Sequence, residues 1–461
     1  MRLSYGGMVN NFVTRLSSLW NAGVNLSRGP IARASALSLG IRLTGLALLF
    51  AQAVLTARLL GPAGYGTIAT VLAIAQVLAM LAVFGLGPMA VREVPSRLAG
   101  GELAALARLW RLSLRIVLLL SILFAAVAVL VAIPAFAGQH TAGERLAFGG
   151  LLVVPLALVG LLRGWAQGFD RMWNAQLPSE VMRPALMVAA MLVVALGGLA
   201  FSPRDYVMLA LIGTVLAAAA SFAMLWHSNL RKLPKDAEKP AAKATAMASL
   251  PFLGLGITVI LQGELNTLLL ASLAGPEETG LFQPVARVAP LLALPVQAAG
   301  MRFAPKIAEF WRKGDIERVR SLTRTFTWTT SLLTALIAIA IAAAGPWIFA
   351  LFGKEFIASA PLLWVMAAAY VISAAGGPAG VIFAMARRTG TAAMGQIAGL
   401  AVNLAIGVLL IPSYGAAGAV MAMLAAFVTW NLLLVALMRR QLGIDPSLFA
   451  LVSQPRDRPA A

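Results

Sequence analysis

The 461-residue chain is 60% hydrophobic and 11% charged, with a mean hydropathy of +0.88, too little polar surface to cover a soluble globule of that size; it is expected to live in a bilayer. A formal net charge of +19 would suit a nucleic-acid partner, but the cations fall in short loops between apolar runs, which is the pattern of membrane orientation and excludes a basic groove. With no cysteine, disulfides and thiolate metal sites are excluded as well.

The chain opens without an uninterrupted apolar core followed by a small-residue cleavage site, so no removable signal peptide is expected. Phe12, Leu16, Leu19 and Trp20 recur at helical spacing with Arg15 among them, which fits a helix lying on the membrane surface as well as it fits a loose tail. From there about twelve apolar runs follow, each close to the roughly 20 residues needed to cross the hydrocarbon core. They lie near 36–59, 67–91, 112–136, 146–168, 181–201, 205–227, 249–273, 281–304, 325–352, 358–385, 392–412 and 416–438.

Loop charge sets their direction, because Lys and Arg near helix ends are retained in the cytoplasm. Both tails and the even-numbered loops hold most cations, among them Arg92, Arg171, Arg183, Lys232, Arg312 and Arg388, whereas the odd-numbered loops offer only Arg145, Arg204 and Lys354. Both termini are therefore expected in the cytoplasm.

Gly61-Pro62-Ala63-Gly64-Tyr65-Gly66, between the first two runs, has an echo in Gly275-Pro276-Glu277-Glu278-Thr279-Gly280, at a shift of 275 − 61 = 214 positions. Leu39/Leu253, Gly40/Gly254, Thr44/Thr258 and Ala57/Ala271 coincide at the same shift, so whole helix pairs are repeated. The polar stretch Arg231–Thr245 reads as a linker between two copies. Each copy has an even number of spans, so the repeats are parallel, related by an axis along the membrane normal. The expected fold is an all-α integral membrane protein of about twelve transmembrane helices, two six-helix bundles around a central cavity. Its parts are an interfacial or cytoplasmic segment (1–34), a first bundle (35–230), a cytoplasmic linker (231–247), a second bundle (248–440) and a cytoplasmic tail (441–461).

Polar residues at membrane depth mark candidate sites, since an Arg or Asp at a helix centre costs about 2.5–3.5 kcal/mol on insertion scales. In the first span Ser35, Ser38, Arg42, Gly45, Gln52 and Thr56 share one sector at about 100° per residue. Arg42 sits close enough to the end to snorkel, but snorkelling leaves Gln52 and Thr56 unexplained, so the stripe is read as cavity-lining. In the seventh span Thr258, Gln262 and Asn266 share a face, Asn266 being the repeat counterpart of Gln52. Glu264 points nearly the opposite way; it is either the ion-pair partner of Arg287 or a proton- or cation-coupling group. The eighth span carries Gln283, Arg287 and Gln297 on one side, and Pro284, Pro290 and Pro295 are expected to bend it. Arg115 and Arg163, near span ends, are expected to snorkel. No catalytic constellation is seen: His140 and His227 fall in opposite-side loops, and neither metal-ligand spacing nor a P-loop occurs. No enzyme activity and no cofactor are expected.

The passage Thr56-Ala57-Arg58-Leu59-Leu60-Gly61-Pro62-Ala63-Gly64-Tyr65-Gly66, onward to Phe84-Gly85-Leu86-Gly87, resembles the opening of polysaccharide-biosynthesis flippases. These form the O-antigen and exopolysaccharide branch of the multidrug/oligosaccharidyl-lipid/polysaccharide exporter superfamily. Leu268 through Phe282, Ala304-Pro305-Lys306 and Arg312-Lys313-Gly314-Asp315 resemble the corresponding second half. The resemblance implies alternating access that flips an undecaprenyl-pyrophosphate-linked oligosaccharide across the bacterial inner membrane. The anionic pyrophosphate would be met by Arg42 and Arg287, with Gln52, Gln262, Asn266, Gln283 and Gln297 around it. It further implies membrane lipid, glycosyltransferases and a polysaccharide polymerase as partners, no nucleic acid, and a monomer. Many relatives have Asp where this chain has Asn266, which departs from ion coupling at that position. A drug/cation antiporter of the same superfamily would need a membrane-embedded carboxylate, for which Glu264 alone stands. A glycan polymerase or ligase would need a sizeable outer loop, and the loops here are short.

Overall fold

The computed structural model describes residues 30–138, 140–234, 242–386 and 388–451. The candidate surface helix around Phe12 to Trp20, most of the linker and the end of the tail lie outside the described residues, as do the side chains of Ser35 and Ser38. Among the described residues every regular element is helical. The first half comprises α1 (Pro30–Val83), α2 (Leu86–Ala99), α3 (Leu103–Gly138), α4 (His140–Gly168), α5 (Met172–Gln176), α6 (Arg183–Leu196) and α7 (Pro203–Ser228). The second comprises α8 (Ala242–Leu273), α9 (Gly275–Val288), α10 (Leu294–Arg312), α11 (Ile316–Ala343), α12 (Gly345–Phe352), α13 (Leu362–Ala375), α14 (Ala379–Met385) and α15 (Thr389–Leu442).

Among the described residues ten stretches are long and apolar enough to cross a membrane. Two of them are double. Gly40–Val83 has 44 residues and Gly390–Leu442 has 53, so at about 1.5 Å per residue each is more than twice the roughly 30 Å of hydrocarbon. Each is broken by one glycine with backbone angles outside the helical region, Gly61 (φ 66°) and Gly415 (φ 52°). Only glycine takes such a φ without strain, and Pro62 restarts the helix at its first turn. With both bends counted, the chain has the twelve membrane-length segments expected of it.

Proline and glycine shape the other spans. The eighth bends as expected: α9 stops at Val288, a 3-10 turn covers Ala289–Ala293 around Pro290, and α10 resumes at Leu294. Gly376, Gly377 and Pro378 separate α13 from α14. The ninth run starts and ends earlier than expected, because α11 covers Ile316–Ala343 and Gly345-Pro346 starts the separate α12. Between α5 and α6 lies a π-helical turn, Leu177–Met182. The whole of Met172–Leu196 is thereby one membrane-length stretch, which corrects the sequence-based start at residue 181.

Helices α1 to α7 pack mainly on one another, as do α10 to α15, and the halves meet through α1 and α2 on one side and α8, α9 and α12 on the other, α9 packing chiefly on α1. The tightest contact lies where the two repeated turns cross. A Cβ on Gly66 would overlap the Pro276 carbonyl oxygen, and one on Gly280 would overlap the Pro62 carbonyl oxygen. The two contacts are reciprocal at the shift already found, since 280 − 66 and 276 − 62 are both 214. Small residues permit this backbone approach, the usual way to join helices in a medium that supplies no hydrophobic drive between them. Aromatic packing continues the seam: Phe50 meets Phe352 edge-on at 5.5 Å, and Tyr65 meets Phe356 at 6.3 Å. From the turn, the second part of α1 runs antiparallel along α8. Gln76 reaches Glu264, Met80 lies against Gly256, and Gly85 lies against the Ser249 and Leu253 backbone. By contrast α10 packs chiefly on α11 and α14, with at most marginal contact to α1. The halves are thus closed at the turn end, while α10 takes little part in joining them.

Arg58 clasps the closed end. Its Nε donates to the Leu351 carbonyl at 2.6 Å and its Nη2 to the Ala350 carbonyl at 3.4 Å. These are last-turn carbonyls of α12, whose dipole also favours a cation there. Arg58→Ala should loosen the turn end by about 1 kcal/mol, a several-fold shift in population. Solvent accessibility of single cysteines placed near Ala63 checks this.

Candidate functional site

Where the halves meet, one cavity of about 110 Å³ collects polar side chains from both, including Gln52, Tyr65, Gln76, Arg183, Tyr206 and Arg287. Each is delivered by a different feature of the chain. Gln52 and Thr56 lie one helical turn apart on the buried face of α1, with Thr56 Oγ1 donating to the Gln52 carbonyl at 2.7 Å. Gln52 Nε2 donates to Tyr206 Oη at 2.7 Å, fixing the tyrosine so that its own proton is free to point into the cavity. Gln52 Oε1 is buried without a hydrogen-bond partner among the described residues, and the buried Tyr65 Oη lies beside the Arg287 guanidinium. The site therefore holds unused polar capacity, which buried groups rarely keep without a ligand or water.

Arg287 comes from the last turn of α9, about 18 Å along the span from Gly275 at 1.5 Å per residue. It is solvent-accessible yet deep between the halves, so its accessible surface faces the cavity. Tyr65, Glu264 and Tyr206 lie within electrostatic reach of it. Arg183 follows the π-turn directly. Such turns are frequent at functional sites because they re-aim the next residue, and here the stem of Arg183 lies over Gly213 of α7. Arg183 has no hydrogen-bond or ion-pair partner among the described residues, and it feels the charge of Arg287. Two guanidinium groups, one from each half, thus face one space.

The structure distributes the sequence-predicted residues over several places. Gln52 and Arg287 come together in the cavity. Arg42 is exposed ten residues before Gln52, about 15 Å nearer the N-terminal end of α1. Gln297 is exposed on α10. Gly45 of the same stripe is a packing position, its missing Cβ admitting the Glu180 backbone. Gln283 is buried and donates to Thr267 Oγ1 at 3.4 Å, tying α9 to α8. Gln262 lines a second pocket of about 240 Å³ wholly inside the second half, with Tyr370, Asn403 and Trp430. Asn266, one turn on, is buried with Oδ1 unpartnered.

Glu264 does turn away from that face. Its Oε1 accepts from Gln76 Nε2 at 3.1 Å, a hydrogen bond between the halves. The direct ion pair with Arg287 is not formed among the described residues; the two interact through space only. The carboxylate is instead hydrogen-bonded to the first half through Gln76.

Arg183, Tyr65, Gln76 and Tyr206 are missed by sequence reasoning, in which Arg183 reads as a loop cation. The signal available for it is a polar run, Asn174 to Glu180, followed closely by Pro184. Glu180 also corrects the reading of Glu264 as the lone intramembrane acid, since it lies within the Met172–Leu196 stretch. It pairs with Arg163 at 2.6 Å, so Arg163 is anchored as well as near a span end.

The same fold recurs among known proteins. An inward-facing multidrug-resistance transporter of the MATE family shares it, with a TM-score of 0.70 at 12% identity, covering 88% of this chain and 98% of that one. The lipid II flippase MurJ in an inward closed conformation gives 0.62 at 15% identity, over 91% and 88%. An outward-facing MATE transporter gives 0.55 at 15% identity, over 91% and 98%. These neighbours share the fold of the MOP superfamily of transporters. No curated protein matches the chain in sequence. The family model described as polysaccharide biosynthesis protein matches residues 32–311, more than half of the chain, and the multi-pass, two-lobed protein belongs to that family.

Proposed function

We propose that the chain flips an undecaprenyl-pyrophosphate-linked oligosaccharide from the cytoplasmic to the outer face of the bacterial inner membrane, for surface polysaccharide such as O-antigen or exopolysaccharide. The observation that carries this reading is the pair Arg183 and Arg287, presented to one cavity by opposite halves. Each guanidinium costs about 2.5–3.5 kcal/mol at such depth. Two of them facing one space are best offset by a dianion, and guanidinium forks match phosphate oxygens bidentately. Tyr206, Tyr65 and Gln52 add hydrogen-bonding groups around the same point.

The remaining geometry suits a lipid. With α10 in at most marginal contact with α1, an opening between these helices would let the polyprenyl tail stay in the bilayer while the headgroup enters. Arg42 and Gln297 border that side and would meet the headgroup first. Inside-negative potential would assist, since outward movement of one negative charge gains about 2.3 kcal/mol per 100 mV. Closure at the turn end, and the higher score against an inward-facing relative, support loading from the cytoplasm with both termini on that side. A cation pump is disfavoured because two cations in the cavity repel a cationic drug. The reading assigns the chain no chemistry of its own; glycosyltransferases would supply the substrate and a polymerase would consume the product.

Proteoliposomes test it. Fluorescent undecaprenyl-diphosphate oligosaccharide should cross in a protein-dependent way, and the gene should complement a glycan-export mutant. No translocation of that lipid, together with proton-driven efflux of a cationic dye, would overturn the reading.

A further inference from the structure

The cavity holds two cations and one nearby carboxylate that pairs directly with neither. Glu264 sits on α8, in the second half, yet its carboxylate is held by Gln76 of the first half at 3.1 Å. It remains within electrostatic reach of Arg287. Its negative charge therefore offsets part of the field that an anionic headgroup would use. From these positions we propose that Glu264 is the exchangeable counter-ion of the site: it neutralises Arg287 in the empty transporter and takes up one proton when an anion occupies Arg287. The proton comes from hydronium in the solvent that reaches the cavity: one hydronium O–H bond breaks, one O–H bond forms on a carboxylate oxygen, and water is left. This rests on the reading of Arg183 and Arg287 as the headgroup site.

The sign follows from like charges. At high pH the carboxylate and the bound anion repel each other. At low pH Glu264 is neutral, the repulsion is gone, and the anion binds more tightly. By linkage, the factor by which the anion favours protonation equals the factor by which protonation favours the anion. The other charged or titratable groups facing this centre are Arg183 from α6, Tyr206 from α7 and Tyr65 from the turn of α1. Guanidinium and phenol groups do not ordinarily change charge between about pH 5 and 9. Glu180, before Arg183, is tied to Arg163. Glu264 is thus the group through which affinity can follow pH.

The probe is methanedisulfonate, a diphosphate mimic that stays doubly charged throughout that range, titrated into the full-length protein in nanodiscs. Wild-type affinity should rise about tenfold from about pH 8.5 to 5.5, within the span usual for linked sites. Glu264→Gln should bind at the wild-type low-pH level with no slope, while Glu264→Asp, which keeps the carboxylate, should keep a slope. A flat wild-type profile, or equal slopes in wild type and Glu264→Gln, overturns the counter-ion role. Arg287→Ala separates the two readings. If it binds the probe as wild type does, the headgroup site itself falls; if it loses binding while Glu264→Gln keeps the wild-type slope, only the counter-ion role falls.

Discussion

Replacing Gly66 by alanine is expected to hold the turn end open and reduce transport to background. The added Cβ would overlap the Pro276 carbonyl oxygen and lie 2.6 Å from the Gly280 amide nitrogen. Both are backbone atoms, so neither can rotate aside. Overpacking of a tight contact costs about 1–3 kcal/mol even where side chains can yield, and the state that contains this contact should fall at least several-fold to a hundredfold in population. Gly280→Ala meets the Pro62 carbonyl by the same geometry and should act alike. The control is another repeat pair, Gly40 and Gly254, where a Cβ would meet nothing within 4 Å. Alanine there should be harmless, or stabilising by up to about 1 kcal/mol through helix propensity. Disulfide trapping between cysteines placed at Ala63 and Glu277 reads the closed end directly. Wild-type trapping and wild-type export in Gly66→Ala would show that the crossing of the turns is not the gate.

That contact is legible in outline from the sequence alone. Gly-Pro turns are local chemistry, and two copies at one offset, 214 positions apart, announce equivalent corners. What the sequence does not express is that the corners touch each other. The spans are legible for the same local reason, because length and apolarity belong to each segment alone. The site is legible in part. Gln52 and Arg287 stand out because polar groups at depth are costly, and both reach the cavity. Gln262 and Asn266 stand out equally, but periodicity gives the side of a helix and not the space that side faces; Gln262 opens into a separate pocket within its own half. Arg183 is hidden by its neighbours. Asn174, Gln176, Ser179 and Glu180 dilute the apolar run, so the span reads as beginning at 181 and the arginine, two residues in, reads as a cation of the cytoplasmic edge. Tyr65 and Tyr206 are hidden because tyrosine near a span end reads as an interfacial anchor.

Arg183→Ala and Arg287→Ala should each abolish export, and Arg183→Ala should also make the empty protein more heat-stable. Both effects come from one arrangement. With substrate present, each guanidinium contributes charge-assisted hydrogen bonds to a phosphate group, and truncating one partner of such a buried pair typically costs about 2–5 kcal/mol, roughly a thirtyfold to several-thousandfold loss of affinity. With no substrate, the same two cations face each other across the cavity and only Glu264, held by Gln76, offsets them. Removing Arg183 relieves like-charge repulsion and the burial of a charge, whereas removing Arg287 also leaves Glu264 without its counter-charge, so the gain in stability belongs to Arg183 alone. The pair should also behave as a unit: a dianion gripped from both halves loses most of its hold with the first arginine, so the double variant should lose less than the two single losses combined. Lysine at either position keeps the charge but not the fork, and should restore the melting temperature more fully than transport. The measurements are export at equal protein level and unfolding temperature in detergent without ligand. Loss of transport and stability together in Arg183→Ala would mark that arginine as structural, and strict additivity would mark the two as acting on separate groups of the substrate.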